Sequence, residues 1–219
     1  MLLPRLLAHP LRGIALLVLA AGLLTGCGKE APDRPGQDTG NDMALDVDTT
    51  LTDTTYTLLN QDSATVAFPD DVLGRPVVLG TIYTSCPNIC PQITANMNEV
   101  RAALDSSVQA QFVSLTFDPQ RDTPSRLAKY QKRFNLTGTS WQFLTGDPAT
   151  LDRLLDRLGV RRRVKGTDRE FARPDTSNYV FTHSNQITLI DAQGRVRAEY
   201  GGSQTPASLI ARDVEKIQP

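Results

Sequence analysis

The sequence is poor in the side chains that hold metals or carry electrons. It has 3 cysteines, 2 histidines and 3 methionines among 219 residues, so metal or redox chemistry has few donors to draw on. It has no charge imbalance either: 23 basic side chains face 24 acidic ones, a formal charge of −1. That balance lacks the basic footprint a phosphate backbone demands, and no nucleic-acid partner is expected. No internal repeat is visible. There is also no apolar run of the ~20 residues that a membrane-spanning helix needs.

What is present begins with a shorter apolar run. MLLPRLLAHPLR carries Arg5 and Arg12 and no acid, and GIALLVLAAGLL follows without a polar side chain. A basic segment and a short apolar one form the pattern of an export signal. The run ends in Leu24-Thr25-Gly26-Cys27, which resembles the lipobox of bacterial lipoproteins. That resemblance implies cleavage before Cys27 and lipidation of its thiol. The chain would then be lipid-anchored to the cell membrane and face the periplasm or extracytoplasmic space; ordinary cleavage nearby is the alternative. Residues 1–26 are read as the signal, and their loss removes two basic groups and no acid. Residues 27–52, rich in Gly, Pro and Asp, bury too little apolar surface to offset their ordering entropy and are read as a tether. Residues 53–219 fit one domain with a single core.

Within that domain, TYTLLN and ATVAF flank Gln61-Asp62-Ser63 as a hairpin. PVVLGTIYT and AQFVSLTF are buried strands by composition. Ile93, Met97, Val100 and Leu104 share one helical face. Thr123-Pro124, Asp147-Pro148 and Thr205-Pro206 each look like an N-cap followed by proline at the first helical position. NQITLID, a turn at Ala192-Gln193-Gly194 and RVRAEY close the domain as a hairpin before the last helix. Strands alternating with helices, then a hairpin and a helix, predict an α/β mixed sheet flanked by helices. A cysteine pair between a buried strand and a helix matches a thioredoxin-like fold, with the spacer one residue longer than CxxC. The charged stretch Arg161 to Asn178 reads as a partner-facing hairpin or a solvated insertion.

Cys86 and Cys90 stand four positions apart in TSCPNICPQ. They could form a disulfide, exchange electrons with other thiols, hold a metal, or pack. Each precedes a proline, which steers it away from helical backbone. The helix is therefore predicted to begin at Pro91, with Cys90 near its N-cap and Cys86 in the loop. Both sulfurs then lie near unsatisfied amides and the positive end of the helix dipole, which lowers a thiol pKa below its free value of ~8.5. Thiolates serve metal binding and disulfide exchange alike, and an exported chain meets oxidising surroundings. A purely stabilising disulfide is the weaker reading, because such stabilisation falls as the closed loop shortens and this loop is very short. Metal or redox then turns on histidine. His9 lies in the signal, which leaves only His183. Where thioredoxin-like folds usually set a proline facing the cysteines, this chain offers His183-Ser184. Met97, the nearest thioether, reads as core. Two thiolates and an imidazole suit Cu(I), tolerate Cu(II), and could hold zinc with one open position; calcium and magnesium match poorly.

YTSCPNICPQ, TFDPQRDTP and FTHSNQITLIDAQG, in that order, together resemble the SCO/SenC family of exported copper proteins over roughly the whole domain. The resemblance implies one copper, as Cu(I) and/or Cu(II), bound by Cys86, Cys90 and His183. It also implies a part in assembling the CuA centre of cytochrome c oxidase. The partners implied are the CuA-bearing subunit, other copper chaperones and thioredoxin-like reductants. Asp118 and Asp122 match the family's DPxRDTP segment, for which a place near copper or in partner docking is implied. Read from the residues alone, Asp118-Pro119 shapes a turn and Asp122 helps to open the next helix. The rival activity is thiol–disulfide reduction of the CuA cysteines, a redox disulfide role that needs only Cys86 and Cys90.

Overall fold

The computed structural model describes residues 49–166 and 179–219. The signal expected at 1–26, nearly all of the tether expected at 27–52, and most of the charged stretch lie outside the described residues. The described residues form nine strands and four helices: β1 (Tyr56–Asn60), β2 (Thr65–Phe68), β3 (Val77–Ile82), α1 (Ile89–Ala103), β4 (Gln111–Thr116), α2 (Pro124–Arg133), β5 (Gln142–Thr145), α3 (Pro148–Arg157), β6 (Arg162–Val164), β7 (Phe181–His183), β8 (Gln186–Ile190), β9 (Val196–Gly201) and α4 (Ala207–Lys216). Seven strands form one sheet in the order β2-β1-β5-β4-β3-β8-β9, and β6 and β7 form a separate two-stranded ribbon.

Strands β3 and β4 are buried at every position, as continuous β-branched and apolar runs require when both faces are covered. They pair in parallel, β4 pairs in parallel with β5, and β8 runs antiparallel to β3. The sheet is thus mixed and flanked by helices, the thioredoxin-like arrangement expected. Helices α1 and α4 pack on each other, with α1 on β3, while α2 packs on β5 and α3 on β1. Ile93, Met97 and Val100 of α1 are wholly buried, as the stripe predicts, whereas Leu104, its fourth member, is the C-cap and only partly buried. Asp147 caps α3 by accepting the Thr150 N–H at 3.0 Å.

Several boundaries move. Leu51 is completely buried, its amide donates to Gly194 C=O at 2.8 Å, and Thr49 C=O accepts from Val196 N–H at 2.9 Å. The domain therefore starts before residue 53, because a single leucine in an otherwise polar stretch docks beside β9. Helix α1 begins at Ile89, not Pro91. Cys90 is accepted into its first turn because Pro91 falls where a missing N–H costs nothing. Pro206, not Thr205, holds the N-cap of α4, and Thr123 bonds Ser125 Oγ at 3.1 Å in place of a helix amide. Strand β5 is added to the predicted set. The charged stretch opens with a strand, since Arg162 pairs with His183 and Val164 with Phe181. Among the described residues, no helix is long and apolar enough to cross a membrane.

The strand that feeds the cysteines is held close to α1 by Gly80. A Cβ there would collide with Met97 Sδ and press on Ile93 Cγ2 at 3.1 Å. Both side chains are completely buried and have little room to yield. Gly80→Ala is expected to cost about 1–3 kcal/mol by overpacking, read as a lowered midpoint of urea unfolding.

Candidate metal centre

The centre lies at the carboxyl end of β3, where ligands collect in open α/β sheets. Beyond Ile82 the chain turns, with the Cys86 N–H donating to Tyr83 C=O at 3.1 Å. Asn88, at the N-cap of helix α1, makes no side-chain capping hydrogen bond. Sulfur serves one of the helix's open amides, the Cys90 N–H donating to Cys86 Sγ at 3.3 Å, while the Tyr83 N–H, at the end of β3, donates to Cys90 Sγ at 3.4 Å. Both sulfurs are free. Cys86 is 8% exposed and Cys90 0%, so only the first faces outward.

His183, remote in sequence, closes the set. Its Nε2 lies 3.7 Å from Cys90 Sγ and 4.0 Å from Cys86 Sγ. Its Nδ1 lies 2.7 Å from the backbone oxygen of Ser184. A carbonyl oxygen only accepts, so the proton sits on Nδ1 and the Nε2 lone pair is turned to the sulfurs, the usual way a metal-binding imidazole is oriented. All three donor atoms lie within 4.8 Å of one another. Thiolate and imidazole donors bound about 2.0–2.3 Å from one ion stand roughly 3.5–4.0 Å apart, so the set fits a single ion with little movement. The donors are soft to borderline, which favours thiophilic metals over hard cations.

Two anchors hold the imidazole in place. At one side of the ribbon, Arg162, opposite His183 in register, buries its guanidinium against α3 and pairs with Asp152 and with Asp156 at 3.1 Å. At the other, Tyr179 is gripped by the DPQRD turn. The Tyr179 hydroxyl donates to Asp118, Arg121 Nε donates to Asp118 Oδ2 at 2.5 Å, and Arg121 Nη1 donates to Tyr179 C=O at 3.1 Å. The Arg121 guanidinium also lies 3.6 Å from the Tyr179 ring centroid. Phe181 then packs edge-on against Tyr83 and Phe117, whose rings flank the imidazole at 5.8 and 4.8 Å. A cleft of about 780 Å³, lined in part by Arg161, Thr182 and His183, opens beside the ring.

Asp122 anchors the cysteine loop. Its carboxylate accepts the Thr84 N–H at 3.0 Å, the Thr84 hydroxyl at 2.5 Å and the Thr116 hydroxyl at 2.6 Å. Burial nevertheless pushes its pKa up to about 6, against these bonds, and burial likewise raises that of Asp118. Asp118 is 1% exposed and Asp122 0%. Both carboxylates point inward, behind the site, where they hold its loop and its ribbon. Arg121 lies within the DPxRDTP motif, whereas Tyr179 and Arg162 belong to no motif.

The two thiols are driven apart in acidity. A hydrogen bond from Cys90 holds the Cys86 thiol well below its ordinary pKa against the effect of burial, helped by the Cys90 and Asn88 amides. Burial, then the neighbouring Cys86 sulfur, pushes Cys90 up. The reduced pair thus carries one ready thiolate, on the outward-facing sulfur.

With the geometry established, comparison with known proteins gives a consistent result. The sequence model of the SCO1/SenC family matches residues 46–218. The SCO1 protein homolog of Bacillus subtilis (strain 168) is 27% identical over 162 residues, 73% of this chain and 79% of that one. The SCO2-like protein of Rickettsia felis is 31% identical over 143 residues, 64% of this chain and 65% of its own length. The solved structure of a SCO1/SenC family lipoprotein from Bacillus anthracis str. Ames superposes with a TM-score of 0.65 at 27% identity, covering 80% of this chain and 99% of that one. Bradyrhizobium japonicum ScoI with copper bound gives 0.60 at 25% identity, covering 75% and 98%.

Because the folded pKa of Cys86 lies below its unfolded value, the thiolate's contribution to stability is complete above the ordinary thiol pKa of ~8.5 and is lost as pH falls through the depressed one. In the metal-free, reduced protein, ultraviolet thiolate absorbance is expected to report one thiolate per chain persisting well below neutral pH. Its abolition in Cys86→Ser but not Cys90→Ser checks the assignment.

Proposed function

The chain belongs to the SCO1/SenC family, and from that membership and its thiolate–imidazole cluster we propose that it is a copper metallochaperone. One copper, as cargo, is held by Cys86, Cys90 and His183 and passed to the CuA-bearing subunit of cytochrome c oxidase. The observation that carries this reading is the His183 lone pair, aimed at both sulfurs from 3.7 and 4.0 Å. A pair of thiols meant only for disulfide exchange needs no third donor. The thiolates suit Cu(I), and the imidazole extends the site to Cu(II). Transfer proceeds by stepwise exchange of ligands with the recipient's own donors. Cys86, the outward sulfur, is placed to release first, while buried Cys90 keeps its hold longest. Since bound sulfurs and imidazole must be unprotonated, affinity falls as pH falls.

A second reading draws on the unequal acidity of the thiols. The Cys86 thiolate would attack a target disulfide, displacing one target thiolate and leaving a mixed disulfide. Cys90, on losing its proton, would then attack Cys86, freeing the second target sulfur and closing the Cys86–Cys90 bond. The target is thereby reduced and this chain oxidised. Copper-bound and disulfide states exclude each other at the same sulfurs.

The lipid anchor expected at Cys27 serves either role, holding the domain at the membrane that carries its target and raising their effective concentration. Location facing the periplasm or extracytoplasmic space is part of the same proposal.

Copper titration of the reduced protein against a competing chelator tests the chaperone reading. Cys86→Ser and Cys90→Ser are expected to abolish tight binding. His183→Ala is expected to weaken it by more than the roughly 10–100-fold that loss of an outer hydrogen-bond partner costs, with unfolding little changed. Wild-type affinity in His183→Ala would overturn the three-donor site. Separately, Cys27→Ala is expected to move the protein from the membrane to the soluble fraction of cells, with copper affinity intact.

A further inference from the structure

The loop that carries the sulfurs, Thr84 to Gln92, has no charged side chain, so charge at the mouth of the site is set by its neighbours. One neighbour is helix α2. Its sequence, PSRLAKYQKR, holds four cations and no acid. Arg126, Lys129 and Arg133 are exposed and, with Thr84, Ser85 and Tyr130, line a shallow depression of about 220 Å³. Ser85 is exposed and adjoins Cys86 in the chain, so the depression reaches the residue next to the outward sulfur. Among the described residues none of the three cations has an ion-pair partner.

Local stability does not account for this face. Basic groups favour the last turn of a helix, which explains Lys132 and Arg133. Arg126 sits in the first turn, the wrong end of the dipole. Arg126 with Lys129, and Lys129 with Arg133, also repel at three- and four-residue spacing. The whole chain is close to neutral, so the cations are segregated here and are not a general excess.

We infer that the α2 face of Arg126, Lys129 and Arg133 is a docking surface for an acidic protein surface that surrounds the recipient's copper-accepting residues. Opposed charges steer encounter and fix orientation, and docking on this face brings the recipient against Cys86. A membrane lipid is the poorer occupant, because headgroups laid on α2 would cover the mouth through which cargo leaves. This inference rests on the delivery reading above.

The test is the rate of copper transfer from the loaded protein to a purified apo CuA domain of the same organism's oxidase, by stopped flow at rising ionic strength. In the triple variant Arg126→Glu, Lys129→Glu, Arg133→Glu, transfer is expected to slow about 10-fold or more at low salt. The gap should close as salt rises, and Lys132→Glu, off the depression, should change the rate far less. Chelator-measured copper affinity should equal wild type. Equal transfer rates at low salt would overturn the docking face while leaving delivery intact. So would weakened copper affinity in the triple variant, or a variant that loses only its binding to phosphatidylglycerol vesicles. A wild-type protein that transfers no copper at all would overturn delivery, and the docking face with it.

Discussion

One lone pair governs the chemistry of this molecule. The imidazole nitrogen that faces the sulfurs does so because the other ring nitrogen is committed to the Ser184 carbonyl oxygen, 2.7 Å away. Reverse the tautomer and the ring would present a proton where the site needs a donor. Everything nearby serves that orientation. The ribbon carries the ring in, Phe117 and Tyr83 limit its swing, and helix α1 presents the sulfur pair at the right depth. Little reorganisation remains for the incoming ion to impose.

The polar groups behind the site do structural work at some cost. Asp118, Asp122 and Arg162 are buried ionisable side chains, and burial alone disfavours charge. Each is met by several partners: Asp122 by Thr84 and Thr116, Asp118 by Arg121 and Tyr179, Arg162 by Asp152 and Asp156. A buried carboxylate with three directional donors fixes a loop more narrowly than apolar packing, which tolerates sliding. That is a reason to find such groups around a site whose donors must converge within a few tenths of an ångström.

Much of this was legible in the residues. Long apolar strands, the α1 stripe and proline-headed helices have strong periods, and the sheet and helices follow them. The donor set was legible because the chain is so poor in alternatives: with His9 in the segment expected to be a signal, His183 was the only imidazole left. What escaped has physical causes. β6 and β7 are only three residues each, too short to show a period, and one of them is heavily charged. The start of α1 was misplaced because the local bias before proline yielded to the sulfur and backbone bonds that organise the first turn. The inward direction of Asp118 and Asp122 depends on Tyr179 and Thr84, both far away in sequence. Leu51 looked like tether because its surroundings are polar, and one well-placed leucine was enough to dock it.

The ribbon shares no strand with the seven-stranded sheet. Its third ligand is thus mounted on a part whose displacement breaks none of the ladders that keep the domain folded. Hold on a bound ion and durability of the sheet are thereby partly separated, since the imidazole can shift with the ribbon while the sheet's own ladders stay whole.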